Sequence, residues 1–222
     1  MIGIVFPSHF EGAEFIARMD NKAGARLQPN LPSWRGSIQG QDIAVGVIGM
    51  GPPHCASRAD YFIGFYQPKV VVLAGFAGAL DPALKRGEVI INRGTGNIHT
   101  ANEVIATVAD KSRLLEQTGS PLVDMESDHV AEVAQKRDVS LIVIRAVSDL
   151  ATEDVPVDIL GRSYDQERGV TTPLKLAAYL AFHWGDIGRL MRFLKPLSDV
   201  RRGLTSVVLS EVLKVADQSK ET

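Results

Sequence analysis

The sequence predicts an α/β protein with a mostly parallel sheet and a helical C-terminal extension. Short continuous apolar runs, Ile2–Phe6, Lys69–Leu73 and Leu141–Ile144, have the length and composition of strands buried on both faces. Amphipathic helical patterns separate these runs, which is typical of strands joined by helical crossovers. From Leu174 to about Val215 the pattern is helical, with breaks expected near Trp184, Pro196 and Gly203.

The N-terminal elements lead to a pair of glycines. The Ile2–Phe6 strand precedes a helix from Glu11 to about Met19, and a carboxylate at that helix start is favoured by the helix dipole. Two strands, 34–39 and 42–48, read as a hairpin that leads into Gly49 and Gly51. Glycines between a strand and a helix can bring backbone N–H groups close to a ligand.

The middle of the chain contains a second segment of small residues. A helix over 52–65 precedes the strand at 69–73, which continues into Ala74-Gly75-Phe76-Ala77-Gly78-Ala79-Leu80. Small residues let the backbone pass close to a ligand or a neighbouring strand. Further along, 89–91 and 103–108 read as strands, and Asp110 reads as the cap of a helix that ends near 117.

The chain is organised around residues 121–149, which read as strand, helix and strand, with the two strands parallel. Glu126 follows the first strand and Asp149 ends the second. Carboxyl ends of parallel strands meet at one edge, where ligands bind in open α/β folds. The alternative is that both residues only cap a helix and a loop.

Composition narrows the class of protein. The formal charge is −2 and the pI is about 6.2, which gives no sign of nucleic-acid binding. A single cysteine, Cys55, excludes an internal disulfide, so a cytoplasmic protein is expected. No signal peptide and no membrane span are expected. No metal is expected either, since His99 and His129 lack ligand spacing with Cys55.

The order of the motifs resembles the nucleoside phosphorylase superfamily. The matching segments, in chain order, are 1–5 with Glu11, then 48–51, 74–80 with 84–89, 123–127, and 143–149. The resemblance is to methylthioadenosine/S-adenosylhomocysteine nucleosidases and to hopanoid-associated phosphorylase-like proteins. It implies a three-layer fold with a mixed, mostly parallel sheet, formed by residues 1–170, on which the helical extension of residues 171–222 packs.

The resemblance also implies roles for individual residues. Glu11 would activate the attacking water, Asp149 would protonate or hydrogen-bond N7 of a purine, and Ser148 would hold Asp149. Glu126 would bind the ribose hydroxyls. The other implied substrate contacts are Met125, Gly49, Gly51, Phe76, Ala77, Gly78 and Val108. Phe76 replaces a serine of the nucleosidases, and the segment between Ile91 and Asp124 is shorter than theirs.

The chemistry of glycosidic cleavage fits these residue types. Breaking an N-glycosidic bond develops positive charge on the sugar and negative charge on the leaving base. One carboxyl can protonate the base, while another deprotonates water on the opposite side. The arginine that precedes the small-residue turn in phosphorylases is absent here. Water is therefore favoured over inorganic phosphate, with Arg58 and Arg145 as the alternative phosphate ligands. Because Arg145 follows an apolar strand, it is expected rather to pair with a buried carboxylate.

The expected partners are a small nucleoside and a second copy of the chain. No cofactor is implied, apart from phosphate as an alternative co-substrate. The chain could instead bind a nucleoside without turnover, because fold does not fix function. The extension is expected to lie beyond the nucleosidase pattern, and in it bulky apolar residues alternate with basic ones. They either pack on the core or a subunit, or contact an anionic membrane, which would suit a hydrophobic 5′ substituent such as that of adenosylhopane.

Overall fold

The computed structural model describes residues 1–27, 30–161, 164–165, 170–171 and 173–218. The strands are β1 (Ile2–Phe6), β2 (Asp20–Leu27), β3 (Leu31–Ile38), β4 (Gln41–Val47), β5 (Val70–Ala79), β6 (Val89–Arg93), β7 (Ile98–Thr100), β8 (Leu122–Asp124), β9 (Ser140–Asp149), β10 (Tyr164–Asp165) and β11 (Val170–Thr171). The helices are α1 (His9–Ala17), α2 (His54–Tyr66), α3 (Val108–Thr118), α4 (Ser127–Lys136), α5 (Val157–Leu160), α6 (Pro173–Leu180) and α7 (Trp184–Gln218).

The first nine strands form one mixed sheet whose centre is parallel. The strands β4, β1, β5 and β9 lie side by side in that order and run in the same direction. An antiparallel hairpin of β2 and β3 extends the sheet beyond β4, and β6 extends it antiparallel beyond β9. This sheet confirms the predicted fold class.

Helices cover both faces of the sheet, because the central strands are apolar on both sides. On one face, Ile4 and Phe6 of β1 pack with Phe15 of α1 and with the second half of α7. On the other face, Val5 packs with α2 and α4, where Phe62 is fully buried. Full burial of such a side chain contributes roughly 1.5–3 kcal/mol. The molecule therefore has the three predicted layers.

The strand pair around residues 121–149 is not parallel, contrary to prediction. β9 runs parallel to β5, whereas β8 runs antiparallel to it through Gly78–Val123 and Ala79–Leu122. β8 has only three residues and pairs with the end of β5 rather than with β9. Even so, Glu126 still reaches the carboxyl edge of the sheet, because it follows a strand that pairs at that edge.

Residues 103–107 do not form the predicted strand. Helix α3 begins at Val108, and Thr107 rather than Asp110 is its N-cap, with the Thr107 side chain accepting from the Asp110 N–H. A second departure is β2, which the sequence did not predict. Seven of its eight residues are exposed, so no alternating apolar pattern marks it.

The C-terminal extension is more continuous than predicted. The break before Trp184 is present, but α7 continues through Pro196 and Gly203 to Gln218. Its second half carries buried apolar residues, including Val200, Leu204 and Val208, that face the sheet. This tertiary packing outweighs the helix-breaking tendency of proline and glycine. The division at residue 170 stays a prediction.

Candidate active site

The carboxyl half of β5 supports the candidate site. Gly75 is paired in register with Arg145 of β9, and Gly78 is paired with Asp149. At Gly75 an added Cβ would lie 2.5 Å from Arg145 Nη1 and 2.9 Å from Glu11 Oε1. At Gly78 it would lie 3.1 Å from Asp149 Oδ2. The two glycines therefore admit charged side chains against the strand backbone, as the small-residue segment predicted.

Glu11 lies at one end of this site. Ser8 caps α1, and its hydroxyl donates to Glu11 Oε2 over 2.5 Å. Glu11 Oε1 accepts the backbone N–H of Phe76 over 2.8 Å, across the interface between α1 and β5. The residue is 6% exposed. Glu11 thus does more than begin a helix, because its carboxylate is fixed against the centre of the sheet.

Glu126 does not cap α4 with its side chain, although it occupies the N-cap position. Its Oε1 accepts the backbone N–H of Gly51 over 2.9 Å, and its Oε2 accepts from Arg145 Nη2 over 3.2 Å. Asp124 caps the helix instead, since its Oδ1 accepts from the Ser127 N–H. The capping interpretation of Glu126 is therefore wrong.

Arg145 is the central cation of the cluster. Its guanidinium is fully buried and contacts Asp124 at 2.5 Å as well as Glu126. Burial works against the charged guanidinium, but Asp124, Glu126 and Glu11 together raise the pKa of Arg145 above its usual value. Its Nε and Nη1 have no hydrogen-bond acceptor among the described residues. The predicted pairing of Arg145 with a buried carboxylate is confirmed.

Burial also shifts the two glutamates toward their protonated forms. Desolvation raises the pKa of Glu126 to about 7, opposed by Arg145 and reinforced by Asp124 and Glu11. Desolvation likewise raises the pKa of Glu11, opposed by its hydrogen bonds to Ser8 and to the Phe76 N–H. With a pKa of about 7, the Glu126 carboxyl can exchange a proton near neutral pH.

Asp149 lies at the other end of the site. Its Oδ1 is 2.6 Å from the Ser148 hydroxyl, which also lies 3.2 Å from the carbonyl of Ala77. Its Oδ2 accepts from Lys111 Nζ over 2.6 Å. Asp149 is therefore held on both sides, by the predicted Ser148 and by a lysine from α3 that the sequence did not predict.

The two ends of the site are a short stretch of strand apart. Gly75 and Gly78 are three residues apart on β5, which corresponds to roughly 10 Å at about 3.3 Å per residue. This separation is comparable to the length of a purine nucleoside. One such molecule lying along β5 could reach Asp149 with its base while its sugar lies near Glu11 and Glu126.

The remaining predicted substrate contacts border the same region. Met125 Cε lies 2.8 Å from where a Cβ would sit on Gly51, and Arg58 Nη1 lies 2.7 Å from the corresponding point on Gly49. Val108, 39% exposed, begins α3, the helix that carries Lys111 to Asp149. Contact of these residues with a substrate stays a prediction.

Sequence reasoning assigned no role to Asp124 and did not single out Lys111. The signal for Lys111 is its position three and four residues before Leu114 and Leu115, which puts it on the apolar face of α3. Arg145 is the residue that indicates a role for Asp124. A cation inside an apolar strand requires more than one acceptor to satisfy its donors, so a second carboxylate beside Glu126 is expected.

We expect Gly75→Ala to lower activity by at least about tenfold, because the new methyl group would push apart Arg145 and Glu11. Base-release assays and thermal melts of the variant would measure this. Gly188→Ala is the matched control, since nothing lies within 4 Å of its Cβ position. In a helix this change is neutral or stabilises by up to about 1 kcal/mol. Equal activity of the two variants would contradict the proposed packing.

The raised pKa of Glu126 predicts a pH-dependent stability. Between the ordinary value of 4.5 and about 7, the folded protein binds a proton that the unfolded chain releases. Stability contributed by this group is therefore complete at low pH and is lost as the pH rises through this window. Between pH 5 and pH 8, we expect the melting temperature of Glu126→Gln to fall less than that of wild type. The exposed Glu132→Gln is the control, and an unchanged slope in Glu126→Gln would refute the assignment.

Comparison with known proteins places the chain in a family. The model of the phosphorylase superfamily matches residues 1–95 and 91–178. A 5′-methylthioadenosine/S-adenosylhomocysteine nucleosidase of Shewanella oneidensis is 23% identical over 206 residues, covering 71% of this chain and 87% of that protein.

Solved structures extend the likeness in fold. The nucleosidase of Colwellia psychrerythraea in complex with adenine has a TM-score of 0.64 at 18% identity, covering 70% of this chain and 84% of its own. The nucleosidase of Helicobacter pylori with butyl-thio-DADMe-Immucillin-A has a TM-score of 0.72 at 16% identity, covering 96% and 97%. The likeness thus includes most of the extension, which we expected to lie beyond the nucleosidase pattern.

The fold, together with these matches, defines an enzyme of the class that cleaves glycosyl bonds. The chain belongs to the phosphorylase superfamily.

Proposed function

We propose that the protein hydrolyses the N-glycosidic bond of an adenosine-type nucleoside that carries a modified 5′ end. The observation that carries this proposal is the placement of three buried carboxylates, Glu11, Glu126 and Asp149, along the carboxyl half of β5. Their separation suits a base at one end and a ribose at the other. The relatives named after 5′-methylthioadenosine and S-adenosylhomocysteine support the same class of substrate.

Glu11 is the proposed base for the attacking water. Its carboxylate is fixed by Ser8 and the Phe76 N–H, so it can accept a proton without first reorienting. Arg145 Nη1 adjoins it across Gly75 and is a buried donor with no acceptor among the described residues. A water oxygen between these two groups would give its proton to Glu11 and accept a hydrogen bond from Arg145.

Glu126 is the proposed ligand of the ribose hydroxyls. Gly51 and Arg145 each bond one of its oxygens, which leaves lone pairs for two hydroxyl donors. Charge-assisted bonds of this kind fix the sugar relative to the nucleophile. The methyl group of Met125 adjoins Gly51 and would pack against the sugar.

Asp149 is the proposed partner of the purine. Negative charge develops on the base as the glycosidic bond breaks, and a proton delivered to N7 neutralises it. Ser148 and Lys111 fix the carboxyl group for this transfer.

Two aromatic rings lie where the 5′ end of the substrate would be placed. The ring of Phe76 packs edge-on against the ring of Phe10, which is 44% exposed, with centroids 6.2 Å apart. These aromatic rings adjoin Glu11 and favour an apolar 5′ substituent over a charged one. A long hydrocarbon group, as in adenosylhopane, is the candidate that the resemblance to hopanoid-associated proteins implies.

A panel of nucleosides tests the substrate. Adenosine, 5′-methylthioadenosine, S-adenosylhomocysteine and an adenosine with a long 5′ alkyl chain would be compared for release of free base. We expect the apolar 5′ groups to give the highest kcat/KM. No base release from any of them, with tight nucleoside binding, would favour the non-catalytic alternative and contradict the proposal.

Water is the proposed nucleophile, because Glu11 can accept a proton from water but would repel a phosphate dianion. Comparing reactions with and without phosphate tests this. We expect the rate to be unchanged and the free sugar to be the product. Formation of a sugar 1-phosphate would indicate phosphorolysis, with the buried Arg58 beside Gly49 as the residue to examine for phosphate binding.

The first half of the extension presents an exposed apolar surface. Phe182 is 84% exposed, Trp184 76% and Met191 53%, and the basic Arg192 and Lys195 follow them on α7. Exposed apolar side chains next to basic ones support contact with an anionic lipid surface. Among the described residues, no helix is both long and apolar enough to cross a membrane.

Cosedimentation with anionic vesicles at low and high salt tests this contact. We expect binding at low salt that is weakened by salt and lost in the double variant Phe182→Ser with Trp184→Ser. If neither protein bound the vesicles, the proposed lipid contact would be contradicted.

Sedimentation velocity tests the proposed homo-oligomer. A 24.0 kDa species at all concentrations would contradict it. A concentration-dependent oligomer lost in the same double variant would assign this surface to a second subunit.

A further inference from the structure

Lys111 and Asp149 form an ion pair in which the lysine is closed off from solvent and the aspartate is not. The three N–H donors of Lys111 Nζ bond to Asp149 Oδ2 over 2.6 Å, to the carbonyl of Leu150 over 2.8 Å and to the carbonyl of Glu153 over 2.8 Å. The Lys111 side chain is 0% exposed, whereas that of Asp149 is 8% exposed. A substrate could therefore touch Asp149 but not the lysine behind it.

We propose that Lys111 is the positioning residue that supplies the proton which Asp149 delivers to the leaving base. The inference rests on the proposed glycosidic cleavage. The Lys111 ammonium donates a hydrogen bond directly to Asp149 Oδ2, so a proton on this nitrogen can pass to that oxygen. The proton available to the purine is therefore held by the pair, with Lys111 as its store, rather than by an isolated carboxylic acid.

The proton transfer balances without a further reactant. As the glycosidic bond breaks, its electron pair goes to the purine. A proton moves from Lys111 Nζ to the Asp149 carboxylate and on to purine N7, so Asp149 is a carboxylate again at the end of the step. Water adds to the sugar carbon and gives its proton to Glu11. The products are the neutral base, the sugar, a protonated Glu11 and a neutral Lys111. Solvent then removes the proton from Glu11 and returns one to Lys111 through Asp149, the more exposed member of the pair.

The hydrogen bonds of Lys111 permit this transfer. A neutral amine keeps two N–H donors, which is the number required by the carbonyls of Leu150 and Glu153. Only the bond to Asp149 needs to change. A lysine held by these two carbonyls stays in place through the cycle, so the loop after β9 remains attached to α3.

Other charged groups on the surrounding segments have partners of their own. The Glu153 carboxylate pairs with Arg86 and accepts the Leu150 N–H. Asp110 of α3 pairs with Arg113, and Asp154 accepts the backbone N–H of Val108. Glu11 and Glu126 also have raised pKa values, but they act on the water and the sugar and so affect every leaving group alike. The part of the pH dependence that differs between leaving groups is therefore assigned to Lys111 and Asp149.

The test compares two leaving groups in wild type and in Lys111→Met. A purine nucleoside requires a proton on its base, whereas a nitrophenyl riboside leaves as a stable phenolate without one. At pH 8 we expect the variant to lose at least about 10²-fold in kcat on the purine nucleoside. On the nitrophenyl riboside, we expect a loss of less than about tenfold. At acid pH the loss on the nucleoside relative to wild type should shrink, because solvent then supplies the proton that the lysine no longer stores.

A purely structural role would give a different result. Equal losses on both substrates, or an unchanged pH profile, would overturn the proposal while leaving the proposed function intact. Cleavage of neither substrate by wild type would instead refute the proposed function and, with it, the inference. Thermal melts of each variant would establish that it is folded.

A second variant and a wild-type measurement cover a failure of Lys111→Met to fold. Lys111→Gln keeps a neutral donor to the surrounding acceptors and should show the same selective loss. In wild type, the ratio of kcat on the nucleoside to kcat on the nitrophenyl riboside isolates proton delivery, because Glu11 and Glu126 act on both substrates. This ratio should stay level above about pH 6, where ordinary carboxyl groups have lost their proton, and fall only toward the range in which ammonium groups titrate. A fall in the ratio between about pH 4 and 6 would assign the proton to Asp149 alone and contradict the proposal.

Discussion

Replacing Asp149 with asparagine should lower kcat on purine nucleosides by about 10²- to 10⁴-fold, the usual contribution of a positioned acid. An amide can accept from Lys111 through its oxygen and donate to the Ser148 hydroxyl oxygen through its nitrogen, so the geometry around it is largely kept. It cannot pass a proton to the base. The loss should therefore appear in kcat rather than in KM, as measured by steady-state release of free base.

Asp138→Asn is the matched control for this substitution. Asp138 is exposed, lies in the turn before β9 and has a φ of 52°, a conformation that asparagine also tolerates. We expect the control to keep wild-type activity. Full activity of Asp149→Asn on a purine nucleoside would contradict the assignment of Asp149 to the leaving base.

Replacing Arg145 with methionine should have the largest effect on stability. The change removes the buried cation and leaves Asp124 and Glu126 without their shared partner. Breaking a buried ion pair in this way costs about 3–5 kcal/mol. For a chain of this length, each kcal/mol lowers the melting temperature by roughly 2–4 °C. Thermal melts at neutral pH should show this loss, together with loss of activity.

Arg137→Met is the control, because Arg137 also forms a bidentate pair with a carboxylate, that of Asp60, but on the surface. Exposed pairs of this kind contribute only about 0–1 kcal/mol. We also expect Arg145→Met to regain stability at low pH, where its orphaned carboxylates are protonated. If the two arginine variants melted alike, the buried cluster would not be the support of the site that we infer.

The fold could be predicted from the sequence where one pattern dominates. The apolar runs of β1, β5 and β9 are explained only by burial on both faces, so they identified the parallel centre of the sheet. β2 has no such pattern, since only Leu27 is buried. Pro196 indicated a helix end that the packing of the second half of α7 overrides. Strand direction at β8 depends on a pairing that the local sequence does not encode.

The candidate site could be predicted only in part, and for a physical reason. Glu11, Glu126 and Asp149 follow elements whose ends meet at one edge, so position along the chain indicated them. Their partners come from elsewhere. Lys111 reaches Asp149 from α3, 38 residues away in sequence. A lysine in a polar helix is usually exposed, and only its register with Leu114 and Leu115 indicates burial.

Single-turnover hydrolysis in ¹⁸O-labelled water tests the central claim most directly. The protein would be incubated in excess over 5′-methylthioadenosine. The base and the sugar would then be separated, and their masses would be measured by mass spectrometry. We predict free adenine and a free sugar that carries one ¹⁸O atom at its anomeric carbon, with neither formed by Asp149→Asn at a comparable rate. Intact nucleoside after many hours, or a sugar without the label, would contradict hydrolysis by the carboxylates along β5.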